Sequence, residues 1–366
     1  MDRIDFWLDG LDVLFKWCAY FIALFLSVLI IKIIYSKQKN KQKNRIQTEN
    51  GIQEKFFVTL GGEKQYIYIS GENKDNPVIL FLHGGPGTPT TCLAYYYQKE
   101  LEKDYVIVNW EQRGCGRTYR KSGRLTVDLL QSDLNELVHY LFDLFGKKII
   151  LMGHSWGTVL ASEYAYHYPE YISIYIALSQ VVHLVSGTML TSQKAADQAS
   201  EKRKSKDAEK IRKMVSLFQK AETVNNKSVS NYMKLRTKIR KYLPDEKLKT
   251  YRKMLWYGAI SPDYSVDDFN WQINCISIKN YFELQRPLIE YMMNKFDVRK
   301  IKEYQVPVYF ISGTQDWITP VEPIEDYYNE ILAPRKKMIE IEHAGHDLYI
   351  DQPEMFANAV KTMLQK

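Results

Sequence analysis

Residues 147–158 read KKIILMGHSWGT. Ile149 to Met152 form a continuous apolar run, which suits a strand buried on both faces of a parallel sheet. Gly153-His154-Ser155-Trp156-Gly157 follows at once, as G-x-S-x-G. That spacing describes a sharp strand-to-helix turn. The serine is held in a strained conformation with its oxygen exposed, and the two glycines let strand and helix approach closely. Thr158–Tyr168 reads as the helix, stopped by Pro169. A Gly-rich turn with serine as an ordinary helix cap is the plainer alternative. The pentapeptide alone does not separate the two, but the strand before it and the helix after it favour the elbow.

The same alternation extends in both directions. FFVTL (56–60) and KQYIYIS (64–70) flank Gly61-Gly62-Glu63 and read as a hairpin. PVILFLHG (77–84) and DYVIVNW (104–110) are further apolar runs ending in chemically dense loops. Val127, Leu130, Leu134, Leu137, Val138, Leu141 and Leu144 have helical spacing, and Gly146 closes that helix. YISIYIALS (171–179) is the next strand. Residues 185–300 then turn rich in Lys, Met, Tyr and Gln and read as helices and loops. Strands resume at VPVYFISG (306–313) and KKMIEIEH (336–343). This order predicts an α/β chain: a mostly parallel central sheet flanked by helices, with a helical cap inserted between the sixth and seventh strands.

A nucleophilic serine needs a base, and the base needs an orienting acid. Beyond Ser155 the histidines are His167, His183, His343 and His346. The first lies in the helix after the elbow and the second just past the next strand. His343 and His346 lie beyond the last strand, where a base can reach back to the serine. Gly345 lets a loop present the ring of His346, which is the favoured base; His343 is the reserve. Asp316 follows the preceding strand and is the expected acid, its alternative being a turn or helix-cap aspartate. An oxyanion needs backbone donors. One is the N–H of Trp156, after the nucleophile. The loop His83-Gly84-Gly85-Pro86-Gly87 is placed to give a second.

HGGPG (83–87), EQRGCGRT (111–118), GHSWG (153–157), GTQDWITP (313–320) and HAGHDLYIDQPEMF (343–356) together resemble the proline iminopeptidase branch of the α/β-hydrolases. The resemblance covers roughly residues 50–180 and 300–366. It implies the α/β-hydrolase fold, a catalytic set of Ser155, Asp316 and His346, and oxyanion donors at Gly85 and Trp156. It further implies release of amino-terminal residues from small peptides. No metal is expected, since no His, Cys or carboxylate cluster has ligand spacing, and no cofactor is expected either. Two positions depart from the family. Glu111 stands where an Asp is usual. Ile278 stands where a cap glutamate usually holds the substrate's ammonium group, with Glu283 as a displaced substitute. An esterase or amidase acting on non-peptide acyl substrates therefore remains open beside the aminopeptidase, as does a non-catalytic scaffold.

Residues 11–35, LDVLFKWCAYFIALFLSVLIIKIIY, carry an uncharged stretch from Trp17 to Ile31. Lys16 and Lys32 can snorkel from its ends, so the segment reaches across a bilayer. Asp2, Asp5, Asp9 and Asp12 precede it against a single Arg3, unlike a cleaved signal peptide. SKQKNKQKNRIQTEN (36–50) follows, with five basic residues before its one acid. Such flanks stay cytoplasmic. The expected organisation is a tail (1–10), a transmembrane helix (11–35), a basic polar linker (36–50), a first core segment (51–184), a helical cap (185–300) and a second core segment (301–366). The catalytic domain of this single-pass membrane protein is expected in the cytoplasm. The net charge of +7 comes from 50 Lys and Arg against 43 Asp and Glu, and much of it sits in the flank. That placement argues against nucleic acid. The expected partners are a small peptide or acyl substrate and membrane lipid. The four cysteines show neither metal-ligand nor disulfide-framework spacing.

Overall fold

A computed structural model describes residues 2–120, 125–219, 226–243, 246–275 and 278–365. Eight strands form one sheet: β1 (Ile52–Leu60), β2 (Glu63–Gly71), β3 (Val78–Leu82), β4 (Val106–Glu111), β5 (Ile149–His154), β6 (Ile172–Leu178), β7 (Val308–Gly313) and β8 (Lys336–Ile341). Their spatial order is β1-β2-β4-β3-β5-β6-β7-β8. β2 runs antiparallel to both β1 and β4, and every pair from β4 to β8 is parallel. The sheet is therefore mostly parallel, as the apolar runs predict.

Alternate residues of each strand face opposite sides. Leu80, Val108, Leu151, Ala177 and Phe310 pack on one side with the helices Val127–Phe145 and Trp156–His167. Ile79, Ile107, Ile150, Ile176 and Ile311 pack on the other with Tyr97, Tyr349 and the carboxy-terminal helix Pro353–Leu364. Each such fully buried aliphatic side chain contributes roughly 1.5–3 kcal/mol of transfer free energy. After β3 the chain moves outward to β4, then returns to place β5 on the other side of β3. The carboxy-terminal ends of β3 and β5 so flank the point where strand order reverses, where ligands of open α/β sheets bind.

Between β6 and β7 stand the helices Leu184–Glu201, Ser205–Gln219, Asn226–Ile239, Glu246–Ala259, Val266–Cys275 and Ile278–Asn294. Buried contacts tie this insertion to the sheet. The Arg117 guanidinium donates to Glu111 at 2.9 Å and to Asp268 of the insertion at 2.6 Å, and stacks 4.4 Å from the centre of the Tyr66 ring. The Tyr281 hydroxyl donates to the Pro86 carbonyl at 2.6 Å, so the last helix of the insertion lies against the HGGPG loop.

The amino-terminal helix runs from Asp2 to Lys43 without interruption. The linker expected from residue 36 is thus helical through Lys43. Lys and Gln are good helix formers, and no Gly or Pro interrupts residues 36–50. A polar composition marks where an apolar segment ends, not where its helix ends. Leu14–Lys43 is long and apolar enough to cross a membrane. Its final turns lie on the insertion: Asn40 donates to the Ile260 carbonyl at 3.0 Å, and the Lys32 ammonium sits 5.2 Å from the centre of the Trp256 ring.

Candidate active site

The elbow forms where the glycine spacing places it. Ser155 has φ 51° and ψ −118°, a region that costs a non-glycine residue energy. A Cβ on Gly153 would lie 2.5 Å from the Gly157 carbonyl oxygen, and one on Gly157 would strike the Leu82 carbonyl. Strand, serine and helix close up only because both positions lack a side chain. Trp156 opens the helix, so its N–H has no partner within it.

Three of the expected residues meet at this turn. His346 Nε2 lies 2.8 Å from Ser155 Oγ, and His346 Nδ1 lies 2.8 Å from Asp316 Oδ2. Asp316 accepts further bonds from the Thr319 hydroxyl at 2.7 Å and from the Ile318 and Thr319 amides at 2.8 and 3.0 Å. Burial alone would raise its pKa. The facing His346 and these donors outweigh burial and hold the carboxyl down to about 2. An ionised Asp316 only accepts, so Nδ1 of His346 carries the hydrogen and Nε2 is free to accept from the serine. His343 does not join the group. It is exposed, and its backbone N–H donates to the Thr314 hydroxyl.

The histidine loop is held by residues that the sequence did not single out. The His346 carbonyl accepts from His154 Nε2 at 2.9 Å and from the Ser179 hydroxyl at 3.1 Å. Burial lowers the His154 pKa to about 4, so this ring serves as a neutral donor. Asp351 accepts from the Gly345 amide at 2.9 Å and from the Thr250 hydroxyl of the insertion.

The HGGPG loop is fixed against the elbow through Gln112. Its amide donates to the His83 carbonyl at 3.2 Å and accepts from the Trp156 indole at 2.9 Å. His83 accepts from the Gln112 backbone N–H at 3.2 Å, and burial lowers its pKa to about 4. A Cβ on Gly84 would lie 3.1 Å from that of Ser155, so the loop abuts the nucleophile turn. Gly85 adopts φ 120°, open to glycine alone, and a Cβ there would strike the Gly87 and Thr88 amides, so the loop turns this tightly only without a side chain. Above, Gln285 is buried against Gly87, and its Oε1 has no protein partner among the described residues. Glu111 belongs to the Arg117 pair, and its burial raises its pKa to about 7 against the pull of Arg117. Glu283 is exposed. The side chain of Ile278 lies outside the described residues. A surface hollow of about 380 Å³, lined by Lys148, Glu170 and Pro307, lies at the amino-terminal edge of β5–β7, the end of the sheet opposite Ser155.

A sequence model of the alpha/beta hydrolase fold matches residues 77–353. A probable aminopeptidase of Bacillus subtilis (strain 168) is 29% identical over 83% of this chain and 93% of its own length. Epoxide hydrolase 1 of Caenorhabditis elegans is 23% identical over 97% of this chain and 86% of its own. The proline iminopeptidase-related protein of Thermus thermophilus superposes with a TM-score of 0.57 at 21% identity, covering 86% of this chain and 97% of that one. The sheet order, the strained elbow and these matches agree: the chain belongs to the α/β-hydrolase family and is a hydrolase.

Proposed function

We propose that the protein cleaves an amide bond at the amino end of small peptides by acyl transfer through Ser155. The carrying observation is the unbroken relay of two 2.8 Å contacts from Ser155 through His346 to Asp316. His346 takes the serine proton as Oγ attacks the scissile carbonyl, and Asp316 stabilises the imidazolium. The N–H groups of Trp156 and Gly85 receive the oxyanion. His346 then gives its proton to the leaving amine, and a water molecule hydrolyses the acyl-serine by the same steps. The aminopeptidase name of the Bacillus subtilis relative supports the peptide reading. Epoxide hydrolysis does not suit a serine nucleophile. Its attack on an epoxide would give an ether, which activated water does not cleave.

An acyl ester or amino-blocked amide is the second reading, and Ile278 is the observation that favours it. An ammonium group buried without a carboxylate costs several kcal/mol, and Ile278 offers none where the resembling family carries a glutamate. The amino-terminal helix is read as a membrane anchor, with the catalytic domain on the cytoplasmic side.

A fluorophosphonate probe tests the nucleophile. Folded protein should label, and Ser155→Ala should not; unlabelled wild type would point to a non-catalytic scaffold. Paired kcat/KM values for free and N-acetylated substrates then divide the two substrate readings. Ile278→Glu is expected to raise the free-amine to blocked ratio about tenfold, the value of one modest ion pair. A strong free-amine preference in the unmodified enzyme would eliminate the ester reading.

A further inference from the structure

The helix Val266–Cys275 is amphipathic in the wrong sense for a surface helix. Its polar Asp268 is turned inward onto Arg117, and Trp271 packs on Tyr119 at 5.0 Å. Val266, Phe269 and Ile273, at i, i+3 and i+7, form the opposite, outer stripe. They are 73%, 53% and 49% exposed. On the helix that precedes it in the chain, Glu246–Ala259, Tyr251 and Leu255 stand four apart on one face, 61% and 64% exposed. Scattered exposed apolar residues need no explanation, but a rimmed cluster of them marks an interaction surface.

The amino-terminal helix says what covers it. Lys32 closes the uncharged stretch Trp17–Ile31, so in a bilayer its ammonium would lie where hydrocarbon gives way to headgroups. That same ammonium lies over the ring of Trp256, next to Leu255 in the chain. One helical turn further from the apolar stretch, Lys37 lies 6.0 Å from the centre of the Tyr264 ring, just before Val266. The insertion is thereby held at the height of the membrane surface. Among the described residues of the amino-terminal helix's basic flank and of the helices Glu246–Ala259 and Val266–Cys275, Lys32, Lys37, Lys39 and the exposed Arg252 outnumber the exposed acid Asp267. That sign suits anionic headgroups.

We propose that Tyr251, Leu255, Val266, Phe269 and Ile273 rest in the headgroup layer of an anionic membrane, so that the insertion, as well as the amino-terminal helix, contacts lipid. The inference rests on the anchor reading of that helix. Its test uses the full chain with Cys18, Cys92 and Cys275 replaced by Ser, leaving the buried Cys115. A single cysteine is introduced as Leu255→Cys, Phe269→Cys or, on the helix Val127–Phe145 at the other face of the sheet, Leu144→Cys, and labelled with the fluorophore NBD. Each protein is incorporated into phosphatidylcholine–phosphatidylglycerol vesicles containing nitroxide-labelled lipid. Flotation with the vesicles reports the anchor. Quenching at 255 and 269 is expected to exceed that at 144 by at least threefold. Floating protein with equal quenching at all three positions would overturn the surface contact and leave the anchor standing. Protein that fails to float would remove the anchor and the inference together. A blue-shifted, concentration-dependent emission at 255 or 269 in detergent without lipid would assign the stripe to a second copy of the chain and overturn the lipid contact.

Discussion

Ser155 and His346 stand 191 residues apart in the chain and 2.8 Å apart in space. Ser155→Ala should leave the fold intact and reduce turnover by roughly 10³–10⁶. Retention of more than a few per cent of activity would remove Ser155 from the proposed role. His346→Ala should cost nearly as much, while the exposed His343→Ala should stay within about twofold. The reverse ranking would transfer the base to His343. Asp316 makes a second prediction, about stability. Its folded pKa of about 2 lies below its ordinary 3.8. Its ionised form is therefore stabilised by folding, fully so above pH 4, and that contribution is lost as pH falls through 2. The difference amounts to about 2 kcal/mol. Asp316→Asn should thus lower Tm at neutral pH, and the gap to wild type should narrow from pH 5 to pH 2. A gap that stays constant in thermal unfolding across that range would contradict the charge account.

At the scale of elements, the loops after β3, β4, β5, β7 and β8 converge, and Gln112 joins three of them. Gln112→Leu would strip the Trp156 indole of its acceptor and the His83 carbonyl of a donor. Each buried group so orphaned costs about 1–3 kcal/mol. We expect a lower Tm together with a kcat loss of about tenfold and a much smaller change in KM, because the proposed oxyanion donors, Trp156 and Gly85, would act in the transition state. Loss of stability with kcat unchanged would make Gln112 a packing residue only. The strands were legible because apolar runs and the glycines of the elbow are local patterns, read within ten residues. Gln112, His154 and Ser179 were not, since each acts across a contact between loops far apart in sequence. Helix continuity through Lys43 was missed because polarity reports the boundary of an apolar stretch and carries no stop signal of its own. The inverted face of Val266–Cys275 could not be read either: periodicity locates an apolar stripe without saying whether protein covers it.

For the whole molecule, the proposed anchor raises the question of which side of a membrane holds the catalytic domain. The helix carries Asp2, Asp5, Asp9 and Asp12 against Arg3 on one flank, and Lys37, Lys39, Lys41, Lys43 and Arg45 on the other. Basic residues close to a span resist translocation far more than acidic ones. The basic flank leads directly into β1, so the domain should remain with it on the cytoplasmic side. The helical flank is docked on Ile260 and Trp256, so on the proposed anchor the domain would have little freedom to stand off from the membrane. Two measurements follow. Membranes washed in high salt should retain the full chain, because apolar burial is not screened by ions, and should release a chain lacking residues 2–43. Protease added to intact cells should leave the domain whole, and the same protease after permeabilisation should degrade it. Digestion in intact cells would place the basic flank outside and reverse the topology. Release of the full chain by salt would reduce the helix to a peripheral, charge-held contact, because a spanning segment of this apolarity does not leave a bilayer when its lysines are screened.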